Sequence, residues 1–95
     1  MADRATITIV VPSALRAFSG APAEIPIAAP DLRALLVELE RSHHAFFRSV
    51  CDETGTVRRH VNVFVNTSHM RDLAGLDTAL ASGDVVTFLP AVSGG

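Results

Sequence analysis

After Pro30-Asp31 the chain places Leu32, Leu35, Leu36 and Leu39 at the three-and-four spacing that builds one apolar stripe on a helix. The pattern predicts a helix over about Asp31 to His43, the one long amphipathic helix in the sequence. A single stripe has to be buried against something else, and the rest of the chain offers strands. Thr6 to Val11 alternates and then turns fully apolar, with Ile7, Ile9 and Val11 on one face, and Pro12 ends it. Glu24 to Ala28 puts Ile25 and Ile27 on one face, and the turn chemistry of Ser19-Gly20-Ala21-Pro22 joins these two strands as an opening hairpin. His60 to Val65 is the strongest strand pattern, and Val85 to Leu89 the last.

Between these elements the signals are mixed. Phe46, Phe47 and Val50 continue the leucine stripe, either as a bent extension or as a second short helix. Cys51 to Arg59 reads as a loop, Asn66-Thr67-Ser68 closes a strand, and Leu73 to Ala81 reads as a short strand or a helical turn. Ser82-Gly83-Asp84 turns the backbone into the last strand. Pro90 cannot donate to a ladder, so pairing is expected to fade there and leave residues 91–95 as a tail. The order strand, strand, helix, strand, strand implies an α+β fold of the ubiquitin-like β-grasp type, a mixed sheet of four to five strands on one main helix. The first and last strands are expected to be central neighbours, so the tail leaves the middle of the sheet. The expected division is a domain over residues 1–90 and a flexible diglycine tail over 91–95.

Ninety-five residues suit a single domain, and 48% hydrophobic against 19% charged residues favours a packed globule over a disordered chain. The net charge of −2, with no basic run, argues against nucleic acid as a partner. All eight cations are arginine, so the chain has no side-chain amine for isopeptide or Schiff-base chemistry. The single Cys51 excludes an internal disulfide and any zinc site built on paired cysteines, which fits a reducing cytoplasm. The start of the chain is unlike a signal peptide, and no apolar run approaches a membrane span.

The usual catalytic patterns are missing: no glycine-rich phosphate loop, no nucleophile elbow and no metal-ligand spacing among His43, His44, His60 and His69. Cys51, following an apolar helix, reads as a buried small hydrophobe. Arg16, Arg58, Arg59 and Arg71 are scattered and read as solvated surface that adds at most charge steering.

The carboxyl end is different. Glycine is about 7% of ordinary composition, so two at the terminal positions arise in roughly half a percent of chains, which sets Gly94-Gly95 apart. A side-chain-free tail can thread a narrow channel where any Cβ would collide with the walls. Five residues reach about 17 Å, enough to carry the end group into another protein's site. A free carboxylate there is a poor electrophile. Adenylation would make it an acyl-phosphate anhydride, and a sulfur nucleophile could displace AMP to leave a thiocarboxylate.

The ending Gly83-Asp84-Val85-Val86-Thr87-Phe88-Leu89-Pro90-Ala91-Val92-Ser93-Gly94-Gly95 resembles that of the MoaD/ThiS family of ubiquitin-like sulfur carriers. The early Ile-Val-Val-Pro strand, Leu15-Arg16 with Gly20 after it, the leucine helix and Arg59 to Asn66 extend the resemblance over nearly the whole chain. It implies that Gly95 bears the adenylate and then the thiocarboxylate, while Gly94 supplies the slim approach. It also implies no bound cofactor, an E1-like activating enzyme that uses ATP, and a sulfur source such as a rhodanese domain or persulfide. The long segment before Arg59 is similar to carriers serving an O-phosphoserine-dependent cysteine synthase, with a metalloprotease that releases the cysteinyl product. The alternative within the family is the small subunit of molybdopterin synthase, which inserts the same tail into a large subunit. With the sequence ending at Gly95, no trimming step is expected. On any of these readings the chain is no enzyme itself but a co-substrate.

Partners need a docking surface beside the tail. By analogy with the ubiquitin-like sheet, Phe88 faces the helix with Val86 and leaves Leu89 on the open face. If Val61, Val63 and Val65 fill the core, Phe64 joins Leu89 there. Pro12, Pro90 and Val92 complete the expected patch. The opposite assignment puts Phe64 in the core and the valines outside. From a different class come an interaction module whose glycine tail is merely flexible and a protein modifier joined through Gly95 to lysines of targets.

Overall fold

Asp31 stands in extended backbone and its carboxylate accepts the Ala34 N–H at 2.8 Å, an N-cap worth about 1 kcal/mol. The helix it opens, α2 (Leu32–Ser42), buries Leu32, Leu35, Leu36 and Leu39 as the stripe predicts. The computed structural model describes residues 5–90, and of residues 18 and 19 the backbone only. His43, with φ −139° and ψ 66°, breaks the helix and starts α3 (His44–Val50), so the stripe resumes as a second short helix burying Phe46, Phe47 and Val50.

The remaining elements are β1 (Thr6–Val10), α1 (Ser13–Ser19), β2 (Glu24–Ala28), β3 (Val61–Val65), β4 (Ser68–His69) and β5 (Val85–Pro90). They form one five-stranded mixed sheet in the order β2-β1-β5-β3-β4. β1 pairs antiparallel with β2, Ile9 opposite Ile25, and parallel with β5, Ile9 opposite Val86. β5 runs antiparallel to β3, which places Val63 opposite Phe88. Ile7, Ile9, Val11, Ile25, Ile27, Val61, Val63, Val65, Val86 and Phe88 all point into the core under the helices. The expected central pairing of first and last strands is present.

Three expectations need correction, and one open alternative is decided. The first two strands pair antiparallel, yet no tight hairpin joins them. The connection holds α1, which starts after Pro12, buries Leu15 and ends on Gly20, whose φ of +69° and N–H to the Arg16 carbonyl at 2.9 Å stop the helix. The third strand begins at Val61, not His60. Residues 70–77 form two 3₁₀ turns, Met70–Asp72 and Gly75–Asp77, which settles helical turn over strand. An isolated bridge, Asp31 with Ala79, then ties the following segment to the start of α2.

The last correction concerns Pro90, where pairing does not fade. β5 runs through it, opposite Val61. The bond from Asn66 N–H to the Val85 carbonyl (2.7 Å) sets the alternation of the β3–β5 ladder, and by that alternation Pro90 occupies a position that exchanges no bonds with β3. Its missing N–H therefore costs the ladder nothing.

The open face of the sheet and the root of the tail

Because Val61, Val63 and Val65 are buried, the period of two turns Asn62 and Phe64 to the other side of the sheet, and both are half-buried there. On β5 the same alternation buries Val86 and Phe88 and leaves Leu89 38% exposed. The residues on this open face line up through the registers. Val10 lies beside Thr87, Thr87 beside Phe64 and Phe64 beside His69, while Asn62 lies beside Leu89. Pro12 has the parity of Thr8 and Val10 and is half-buried just past the end of β1. Pro90 is half-buried at the end of β5, but it has the parity of Val86 and Phe88 and lies opposite buried Val61, so it does not join the open face as expected. Val92, Gly94 and Gly95 lie outside the described residues.

Two residues that sequence reasoning left out of the site hold it in shape. His69 sets its ring edge-on to Phe64, with centroids 5.2 Å apart and planes at 71°. Its Nδ1 accepts the Arg71 N–H at 3.0 Å, so the proton sits on Nε2, which donates to Asn62 Oδ1 at 3.1 Å. This chain of contacts fixes the Asn62 amide and the Phe64 ring together. The signal for it was faint: β4 is only two residues long and exists by pairing with Phe64 and Val65.

The start of β5 is clasped as firmly. Asn66, in the left-handed region at φ 57°, donates from Nδ2 to Asp84 Oδ1 at 3.1 Å and accepts the Val85 N–H on Oδ1 at 3.0 Å. Asp84 Oδ2 accepts the Ala81 N–H at 2.9 Å. These bonds, that of Ala81 first and that of Asn66 second, hold the Asp84 carboxyl below the usual carboxylate range. The strand that leads to the tail is thus anchored at its beginning and flanked on both sides.

Elsewhere the chemistry is quiet. Cys51 is fully buried, and burial first, with the Asp52 charge second, pushes its thiol up to about 11. Among the described residues no three metal-ligating side chains gather, and no helix is long and apolar enough to cross a membrane. Two shallow hollows of about 130 and 160 Å³ lie between α2 and the 52–55 loop, on the opposite layer from Phe64 and Leu89.

A mixed sheet gripping α2, with its central strand leading to the chain's terminal segment, defines a ubiquitin-like β-grasp protein. The chain belongs to the ThiS family, whose model matches residues 9–95. It is 35% identical over 91 residues to the sulfur carrier protein CysO of Mycobacterium tuberculosis, covering 94% of this chain and 98% of that protein. The crystal structure of Mycobacterium tuberculosis CysO superposes with a TM-score of 0.78 at 34% identity, covering 90% of this chain and 99% of the other. A BexX/CysO complex from Amycolatopsis orientalis gives a TM-score of 0.79 at 28% identity, covering 94% and 99%.

Proposed function

We propose that this chain is a sulfur carrier whose Gly95 carboxylate is adenylated by a partner enzyme with ATP, releasing pyrophosphate. Hydrosulfide, or a persulfide whose acyl disulfide a thiol then reduces, attacks the carbonyl carbon, the bond to phosphate breaks, and AMP leaves with the electron pair. The resulting thiocarboxylate is donated to an O-phosphoserine-dependent cysteine synthase, from whose product a metalloprotease releases cysteine. The chain is a co-substrate and holds no cofactor of its own.

One observation carries the reading. β5 lies between β1 and β3 and ends at Pro90 beside the open face that carries Phe64 and Leu89, so a partner gripping that face receives residues 91–95 at a fixed starting point. Phe64, Leu89 and Pro12 supply the grip on that face, Val92 adds to it beyond the strand end at Pro90, and Gly94 gives the slim approach to the reacting carbonyl. The 35% identity to a sulfur carrier supports the role, and the Amycolatopsis relative's complex with BexX supports action through partner enzymes.

The acceptor is tested by charging the protein with sulfur and offering it in parallel to an O-phosphoserine-dependent synthase and to a molybdopterin synthase large subunit. Cysteine formation with the first supports the reading. Sulfur release to the second alone overturns the choice of pathway.

A further inference from the structure

Eight cations decorate this chain and none is a lysine. A lysine amine, with a pKa near ~10.4, always keeps a small free-base fraction that attacks activated carbonyls. A guanidinium stays protonated and delocalised and does not. The chain's one thiol is equally withdrawn: Cys51 is 0% exposed in the core, at the bridge that pairs it with Val57. Side-chain amines and accessible thiolates are therefore absent from the surface; the histidines give only acyl-imidazoles that water reopens, and the α-amine is the one amine left.

Reach makes this matter. Val61 lies opposite Pro90, so Arg59, exposed and two residues before Val61, stands near the point where the chain continues towards Gly95. Five residues span up to about 17 Å, enough to bring a terminal carbonyl back onto this surface. A lysine at position 59 would meet an activated end of its own chain at high effective concentration.

We infer, resting on the carrier reading above, that the arginine-only surface and the buried thiol make this protein's side chains inert towards its own activated Gly95. The acyl group is kept for a sulfur nucleophile from outside. The excluded reaction is specific. A lysine Nζ would attack the carbonyl carbon to form a C–N bond, the bond to phosphate would break, AMP would leave with the electron pair and the amine proton would pass to water. Such a self-amide is a dead end, because it cannot be reopened to a thiocarboxylate without hydrolysis of an amide bond.

The test compares wild type with Arg59→Lys, near the strand end, and Arg41→Lys, on the exposed side of α2, all three acetylated at the α-amine so that only side chains can capture the acyl group. Each is incubated with ATP, magnesium and a ThiS-family activating enzyme, without sulfide, and read by intact mass and peptide mapping. Amide spectra first establish that both variants keep the wild-type fold. Wild type is expected to return at unchanged mass. Either variant is expected to yield a species one water lighter than one chain, or than two, with the new amine joined to Gly95. Adducts on wild-type side chains, or variants as free of isopeptide as wild type, would overturn the inference. Pyrophosphate release is the separate readout: its absence with a working enzyme counts against the carrier reading, whereas release without isopeptide in the variants counts against self-inertness alone.

Discussion

Phe46 on α3 meets Phe88 on β5 edge-on, with ring centroids 5.6 Å apart and planes at 86°. Both rings are buried, at 1% and 0% exposure, so the helix that sequence periodicity left ambiguous is locked to the strand that leads to the tail. Phe88→Ala is expected to cost about 3–5 kcal/mol in chemical denaturation, the range for removing a buried aromatic ring. A loss below about 1 kcal/mol would mean that this contact does not hold the strand.

The next residue along should behave differently. Leu89 points to the open face and is only partly covered, so Leu89→Asp is expected to cost about 1–2 kcal/mol, well short of the loss at Phe88. The same variant should slow sulfur loading by the activating enzyme, measured as initial rate against carrier concentration. Unchanged loading would remove Leu89 from the docking face.

Acid sensitivity follows from two carboxylates. Hydrogen bonds hold Asp84 (from Ala81, then Asn66) and Asp52 (chiefly from the Thr54 hydroxyl) below the ordinary range. A folded-state pKa below the unfolded value of about 3.9 adds stability that is present above that pH and lost as pH falls through the folded values. The denaturation midpoint of wild type should therefore fall below about pH 4, and fall less in an Asp52→Asn, Asp84→Asn double variant. Equal acid slopes in the two proteins would contradict the assignment.

Cys51 offers a kinetic check on the core. With its thiol raised to about 11 and its side chain fully buried, alkylation by iodoacetamide at pH 8 is expected to run at least about a hundredfold slower than in the denatured chain. Comparable rates would place the thiol at the surface.

Much of this architecture is written in side-chain periodicity. Leu32, Leu35, Leu36 and Leu39 define α2, and the alternation of Val61, Val63 and Val65 assigns Phe64 to the open face. What periodicity misses is short or tertiary. α1 spans only seven residues, too few for a stripe to repeat, although Pro12 before it and Gly20 after it are the punctuation of a helix. β4 has no pattern of its own and exists because Phe64 and Val65 supply a ladder. The His69–Asn62 bond joins residues seven apart through that ladder, and no local rule anticipates it. Pro90 misled for a similar reason: whether a missing N–H matters depends on ladder register, which only the paired strands determine.

The central claim is that the terminal carbonyl takes up sulfur. Intact-mass analysis after incubation with ATP, a ThiS-family activating enzyme and sulfide tests it most directly, with a variant lacking Gly95 alongside. The account predicts replacement of one oxygen by sulfur, mapped to Gly95, in the full chain and none in the shortened one. A full chain that stays unmodified while an established carrier is converted in the same mixture would contradict it.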